Sequence, residues 1–255
     1  MTRTLHLARW NAVLLARNRL ALVYAVVLPL LPVLLMLSGT RGDPAVGASS
    51  ITTVLLVVGL FPVYYNVLSQ FVNRRDELVL KRLRAGETRD GELLVSIALP
   101  GAVSALAICA LVVPLSQLLE QPLPVNPLAY AAGVVLAVIM FTAFAYWTAA
   151  WTRSAEAAQL TSMPIILLAS LGPLGAALAD RSETLSTLLN LTPGGAMSEL
   201  VRTGWFGFDG PGADTVTLAF ADSWAPVMGP LGIMAAWALV AYSLAARSLR
   251  WEPRA

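Results

Sequence analysis

Charge is scarce in this sequence and is absent from long parts of it. Only 13% of the 255 residues are charged and 57% are hydrophobic, whereas soluble proteins carry about 25% charged residues. Asp, Glu, Lys, Arg and His are all missing from six stretches: 20–38, 51–72, 93–116, 128–151, 158–179 and 223–246. A soluble helical protein needs polar residues along one face of most helices, so these stretches exclude an ordinary soluble bundle.

Each stretch is long enough to cross a bilayer. Hydrocarbon about 30 Å thick takes about 20 residues of helix, and the shortest stretch has 19 residues. The first stretch also exceeds the apolar core of a signal peptide, which has about 7–15 residues, and this favours an uncleaved span. We therefore predict an all-α integral membrane protein with six transmembrane helices, folded as a single domain, 1–255.

Basic residues are distributed unevenly among the predicted loops. The N-terminal segment, loop 73–92, loop 152–157 and the C-terminal tail together hold 14 Lys and Arg residues, against 3 in the other three loops. Because basic loops stay in the cytoplasm, we expect loop 73–92 and both termini on the cytoplasmic side of the membrane.

Two segments outside the spans are too apolar to be plain loops. In residues 2–18, Leu7, Trp10 and Leu14 share one helical face, which predicts an N-terminal interfacial amphipathic helix or a cytoplasmic extension of the first span. Segment 180–222 combines six acidic residues with apolar runs, so it is too polar to span the membrane. It predicts short helices that lie against or dip into the outer leaflet.

The sequence lacks the residues that several kinds of chemistry require. Lys81 is the only lysine and lies outside any Gly-rich P-loop pattern, so we expect no ATPase site of that kind. His6 is the only histidine, which leaves no material for Ser-His-Asp catalysis or histidine metal sites. Cys109 is the single cysteine and cannot form an intrachain disulfide. We predict no enzyme activity, metal or cofactor in this chain itself.

None of the six predicted spans contains Asp, Glu, His, Lys or Arg. Proton- and sodium-coupled transporters usually keep such a group inside the membrane as their coupling device. Its absence disfavours a secondary transporter, although that alternative and a non-transporting membrane scaffold stay open. If the protein moves a substrate, we expect the energy to enter from outside the membrane.

Loop 73–92 carries charges of both signs. Six basic and five acidic residues are interleaved with leucines, whereas a loop made only for topology or for anionic lipid would be basic. Asp76 and Glu77 lie near i,i+4 spacing from Lys81, which supports a helix there. The pattern predicts a cytoplasmic helix with a protein partner, and a solvated connector helix is the alternative.

The strongest family signal is a run of residues in this loop, between spans two and three: Arg74, Arg75, Asp76, Glu77, Leu80, Lys81, Arg82, Leu83 and Arg84. Two further segments agree with it, Arg17-Asn18-Arg19 before the first span and Leu191-Thr192-Pro193-Gly194-Gly195 before the last. Together they resemble type-2 ABC transporter permeases, in which the loop run forms the coupling helix. The family often has Thr-Pro where this chain has Gly86-Glu87, so the end of that helix differs.

The resemblance implies a fold and a set of partners. It implies six transmembrane helices with a cytoplasmic coupling helix and outer re-entrant helices over 185–204. Two such subunits, as a homodimer or a related heterodimer, would work in membrane lipid with two separate ATPase subunits that bind ATP and magnesium. The nine loop residues named above would contact the ATPase. The expected function is export of a hydrophobic or amphipathic substrate (drug, antibiotic, lipid or peptide) from a bacterial cell, with no nucleic acid partner.

Uncharged polar and aromatic side chains mark the predicted spans two and five, which the resemblance places along the translocation path. The candidate lining residues are Phe61, Tyr64, Tyr65, Asn66, Ser69, Gln159, Ser162 and Met163. An aromatic and amide lining without charge suits an apolar or amphipathic ligand. Ordinary packing between helices is the alternative for each of these residues.

Overall fold

The structure is a computed structural model that describes residues 9–10, 13, 17, 23–38, 40–85, 89–154, 156–172, 174, 182–210, 215–249 and 251. These residues form an all-α protein with nine helices. They are α1 (Leu28–Leu37), α2 (Pro44–Asp76), α3 (Val79–Ala85), α4 (Asp90–Leu118), α5 (Pro127–Ala149), α6 (Ala157–Ser170), α7 (Glu183–Asn190), α8 (Pro193–Leu200) and α9 (Trp224–Ser248). Of the predicted interfacial helix 2–18, the structure describes four residues only.

Four helices, α2, α4, α5 and α9, are long and apolar enough to cross a membrane. They cover the charge-free stretches predicted as spans two, three, four and six, apart from residues 150–151 and 223. The shorter apolar helices α1 and α6 lie in the first and fifth stretches. Residues 20–22 and most of 173–179, which belong to those two stretches, lie outside the described residues. The chain is therefore a multi-pass membrane protein by helix length and hydropathy.

α2 and α5 begin before their charge-free stretches because capping residues set their first turns. Asp43 Oδ1 accepts a hydrogen bond from the Ala45 N–H at 2.9 Å. Pro44 takes the first helical position, where its missing N–H leaves no bond unmade. α5 begins in the same way, at Pro127 after the capping side chain of Asn126.

α2 and α5 lie at the centre of the described bundle, and α9 is the most exposed of the four long helices. α2 contains a π-helical stretch, Gly59–Tyr65, with Pro62 inside it. Gly101 of α4 packs on this stretch, and a Cβ at Gly101 would overlap the Pro62 carbonyl oxygen. Glycine permits this close approach of two helices, as is common in membrane bundles.

The two ends of the bundle differ in charge. At the basic end, α2 and α5 finish together, and this end carries Arg74, Arg75, Lys81, Arg82, Arg89, Arg153 and Arg247. At the opposite end, α4 finishes while α2 and α5 begin, as the 3.2 Å hydrogen bond from Gln121 Nε2 to the Asp43 carbonyl shows. The basic residues described there are Arg41 and Arg202.

α5 and α9 run in the same direction, which constrains the chain between them. Their first turns meet at the opposite end, where Asn126 Nδ2 donates to Ser223 Oγ at 3.0 Å. At the basic end, Trp251 follows α9 and its ring lies 5.7 Å from that of Phe71 in α2. Because α5 finishes at the basic end and α9 starts at the opposite end, the segment between Ala149 and Trp224 must return along the bundle.

α7 and α8 form a hairpin whose turn lies at mid-height. Trp237 Nε1 donates to the Leu191 carbonyl at 2.8 Å, and Trp237 lies about 20 Å along α9 from its start. α8 then rises toward the opposite end, where Trp205 Nε1 donates to the Pro122 carbonyl at 2.9 Å. A Cβ at Gly194 would overlap the Ala169 carbonyl of α6. α6 and α8 thus meet inside the bundle.

Candidate functional site

The first part of the candidate site is the connecting segment, defined as residues 76–85. α2 stops at Asp76, Leu78 takes a backbone φ of 60°, and α3 follows. The left-handed backbone at Leu78 is sterically costly, so its surroundings must hold this turn in place. The turn separates Asp76 from Lys81, and the i,i+4 spacing seen in the sequence therefore does not lie within one helix.

Arg75, one residue before this segment, is fully buried. Its guanidinium donates to the carbonyl oxygens of Ala149 at 2.9 Å, Thr152 at 2.6 Å and Arg153 at 3.4 Å. Arg75 Nε also lies 3.5 Å from Asp76 Oδ1. These carbonyls lie at and just beyond the end of α5, where helix carbonyls lack intrahelical partners and favour a cation.

The predicted coupling residues fall into groups by exposure. Four are exposed: Asp76, Glu77, Lys81 and Arg82. Two are fully buried: Arg75 and Leu80. Arg74 is half-buried and donates to Gln70 Oε1 at 3.2 Å, while the side chains of Leu83 and Arg84 lie outside the described part. Arg75 and Leu80 are buried in the chain, so the exposed charges form the surface that a partner would meet, and a coupling role for these two residues stays a prediction.

The second part of the candidate site is the aromatic face, defined as Phe61 and Tyr65 of α2 with Ser162 of α6. Tyr65 Oη and Ser162 Oγ are 2.9 Å apart. The rings of Phe61 and Tyr65 stack at 5.6 Å, and Tyr24 stacks on Phe61 at 6.1 Å. The structure thus brings together the two segments that the sequence marks as a path.

The remaining predicted path residues are divided between surface and interior. Ser69, Gln159 and Met163 are exposed, and half-buried Asn66 accepts a hydrogen bond from Gln70 Nε2 at 2.7 Å. Tyr64 is fully buried, and its hydroxyl donates to Thr148 Oγ1 at 3.0 Å. Tyr64 therefore packs against α5 in this chain, and its role as a lining residue stays a prediction.

Sequence reasoning missed one ionic pair. Glu199 Oε2 of α8 lies 3.9 Å from Arg202 Nε, and the Arg202 guanidinium sits 5.2 Å from the centre of the Phe208 ring. Burial raises the pKa of the Glu199 carboxyl above its ordinary value of 4.5, and Arg202 opposes that rise. The only sequence signal for this burial was the apolar surroundings of Glu199, beside Met197 and Leu200.

Two further features bear on possible ligands. An apolar groove of about 470 Å³ lies between α4 and α5 near the opposite end, with Leu106, Cys109, Pro124, Tyr130 and Val135 in its walls. Among the described residues, no group of three or more His, Cys, Asp or Glu side chains is placed to hold a metal ion.

Comparison with known proteins adds no relative. No protein-family model matches the sequence, and a search of curated proteins finds no similar one. The sequence and the structure together therefore establish a multi-helix membrane protein with four long apolar helices that could cross a bilayer.

Proposed function

We propose that this chain is the transmembrane subunit of an ATP-driven exporter of the type-2 ABC permease kind. The observation that carries the proposal is the connecting segment, which presents exposed charges of both signs beyond the apolar part of the bundle. Its base is fixed, because Arg75 and Leu80 are fully buried in the chain. Buried residues that hold the segment in place, together with an exposed surface of charged side chains, suit the docking of a protein. The proposed partner is a separate ATPase that binds ATP and magnesium.

The proposed membrane arrangement has six spans with both termini and the connecting segment in the cytoplasm of a bacterial cell. The charge difference between the two ends of the bundle supports this orientation. The parallel course of α5 and α9 supports a fifth crossing that includes α6. Stacking of Tyr24 on Phe61, near the middle of α2, supports a first span that continues from α1 toward the basic end.

The proposed substrate is hydrophobic or amphipathic, and the proposed path runs along the aromatic face. Phe61 and Tyr65 supply partly exposed aromatic surface. Gln159 and Met163 of α6, both exposed, lie within three residues of Ser162 in the sequence. Such a face suits apolar ligands that carry few polar groups. A second permease subunit, identical or related, would complete the path.

Co-purification tests this function. The tagged chain, solubilised in mild detergent, should carry a separate ATPase in equal stoichiometry, and the chain alone should hydrolyse no ATP. Reversal of an exposed charge, Arg82→Glu, should weaken ATPase binding about tenfold or more, since close charge pairs at an interface are worth about 1.5 kcal/mol or more. Arg247→Glu makes the same reversal at the same end, outside the connecting segment, and should bind normally.

Two results would contradict the proposal. One is ATP hydrolysis by the isolated chain above that of a purified inactive control. The other is ATPase binding by Arg82→Glu equal to that of Arg247→Glu at matched amounts in the membrane, which would leave the connecting segment a solvated connector.

A proton-coupled transporter is the second candidate, and Glu199 is the observation that favours it. Its half-buried carboxyl lies 3.9 Å from Arg202 Nε, and transporters pair titratable groups inside the protein in this way. A pH gradient across ATP-free vesicles should then drive accumulation of a fluorescent hydrophobic amine, and Glu199→Gln should abolish it. The exporter proposal predicts no accumulation under these conditions with either chain.

A further inference from the structure

Arg75 connects three parts of the chain at the basic end. Its side chain leaves α2 one residue before the connecting segment and binds the backbone of residues 149–153, the α5–α6 junction. Its guanidinium is fully buried, although the sequence pattern alone would place it on the surface. Three backbone carbonyls at the α5–α6 junction therefore accept hydrogen bonds from this one side chain.

Hydroxyl groups continue this connection into α6. Thr152 Oγ1 donates to the Thr148 carbonyl at 2.8 Å and lies 2.8 Å from Thr161 Oγ1 of α6. The next residue of α6, Ser162, pairs with Tyr65 of α2. The junction held by Arg75 is thus hydrogen-bonded directly to the helix that contributes to the aromatic face.

We infer that Arg75 is a positioning residue that ties the connecting segment to the α5–α6 junction, so that displacement of the segment moves α6. The inference rests on the proposed function for the source of that displacement, an ATPase docked on the exposed charges. Energetic coupling between distant sites requires a contiguous set of packed or hydrogen-bonded groups. Arg75, Thr152 and Thr161 form such a set from the segment to α6.

An arginine suits this position because its planar group has five donors that can reach several carbonyls at once. A lysine keeps the charge but presents its donors from one nitrogen, and it cannot span carbonyls from residues 149 to 153 in the same way. Arg75→Lys therefore weakens the connection while preserving the positive charge near the end of α5. Arg75→Met removes the connection without leaving an unpaired buried charge.

The first experiment measures the junction directly and does not depend on transport. In a Cys109→Ala background, Ala150→Cys places a thiol at a position that is 2% exposed. Its reaction with a polar maleimide in open membrane fragments should accelerate about tenfold or more in Arg75→Met, because local opening becomes easier. Arg153→Met removes an exposed guanidinium from the same junction and keeps its carbonyl, so it should leave the rate unchanged.

An equal labelling rate with and without Arg75 would overturn the inference. Arg75→Met could fail to accumulate in the membrane, and Arg75→Lys then serves as the test. It should accumulate and give a rate between those of the unchanged chain and of a fully open junction. A rate for Arg75→Lys no different from that of the unchanged chain would also overturn the inference.

The second experiment separates positioning from a merely structural role. Leu160→Cys places a thiol on α6 at a residue that is 76% exposed. With the ATPase bound, addition of ATP and vanadate should change its labelling rate at least about threefold, and Arg75→Met should abolish that change. ATP hydrolysis, measured separately without vanadate, should continue in Arg75→Met. A response that persists in Arg75→Met, or hydrolysis that falls in parallel with it, would leave Arg75 with a structural role only.

Failure of the proposed function can be told apart from failure of this inference. If no ATPase binds the unchanged chain, the proposed function fails and the part of the inference about α6 displacement fails with it. The Ala150→Cys rate still decides whether Arg75 holds the junction. If the ATPase binds and the Ala150→Cys rate is insensitive to Arg75, the function stands and the inference fails.

Discussion

Neighbouring residues on one helix take opposite roles in this chain, and only the packing decides which. Tyr64 and Tyr65 are adjacent in sequence, yet Tyr64 is buried against Thr148 whereas Tyr65 meets Ser162 of α6. Arg74 and Arg75 differ in the same way, since Arg75 is fully buried against the end of α5 whereas Arg74 is half-buried. The sequence predicts the two tyrosines as lining residues and the two arginines as coupling residues. The face of α2 on which each one lies depends on the neighbouring helices.

Glu199 shows how burial can hide within a segment of acidic residues. The sequence counts it as one of six acids between residues 180 and 222, and only its apolar neighbours distinguish it from Asp209 or Asp222. In the structure both of those are exposed, whereas Glu199 lies on the mostly buried helix α8. Its carboxyl therefore loses hydration on folding, and its pKa rises above 4.5.

The raised pKa of Glu199 predicts a pH-dependent stability difference. At a pH below 4.5 the carboxyl is protonated in the folded and unfolded chains alike, so Glu199→Gln and the unchanged chain should have similar Tm values. As the pH rises through the folded pKa, the unchanged chain should lose stability relative to Glu199→Gln, because only its unfolded state ionises freely. Thermal unfolding of the two purified chains from pH 4 to 8 checks this, and a Tm difference that does not vary with pH contradicts it.

At the scale of elements, helix starts are predictable from sequence and the hairpin contacts are less so. Asp43-Pro44, Asn126-Pro127 and Thr192-Pro193 each place a capping side chain before a proline, and α2, α5 and α8 begin there. The turn at Leu78 has no such signal, because a leucine there takes the left-handed backbone that usually favours glycine. A contact such as Gly194 with Ala169 depends on two segments far apart in sequence.

The close packing of α8 on α6 predicts a destabilising effect of one methyl group. Gly194→Ala places a Cβ against the Ala169 carbonyl, and overpacking of this kind costs about 1–3 kcal/mol. Gly232→Ala is the matched control, because no atom lies within 4 Å of its added Cβ. It should be neutral or stabilising by about 0.5–1 kcal/mol through helix propensity.

Thermal unfolding of both variants in the same detergent measures the effect. Gly194→Ala should unfold at a lower temperature than the unchanged chain, and Gly232→Ala at the same or a higher one. Equal Tm values for Gly194→Ala and Gly232→Ala would mean that α8 does not pack on α6 as the structure places it.

At the scale of the whole molecule, composition predicts more than any single motif does. The segregation of charge identifies a membrane protein, and four of the six charge-free stretches correspond to helices that could span a bilayer. The direction of α9 relative to α5 could not come from hydropathy, because it depends on how segment 150–223 returns along the bundle. The proposed partner and substrate follow from a family resemblance and not from the packing of the helices.

The return of the chain between α5 and α9 gives the last prediction. α6 begins at the basic end after exposed Glu156, and the hairpin leads to exposed Asp209 at the opposite end. In a Cys109→Ala background, Asp209→Cys should therefore react with an impermeant maleimide on intact cells. Glu156→Cys and Glu77→Cys, both at the basic end, should react only after lysis, because basic ends stay in the cytoplasm.

The pair Glu156→Cys and Asp209→Cys isolates the fifth crossing from the rest of the topology. If both thiols react from the same side, segment 157–208 enters and leaves on one face of the membrane, and the parallel course of α5 and α9 is wrong. If Glu156→Cys alone reacts on intact cells, the crossing stands but the orientation is inverted, and the connecting segment could not meet a cytoplasmic ATPase. Labelling of Asp209→Cys outside and of the other two thiols inside would support both the crossing and the docking surface on which the exporter proposal depends.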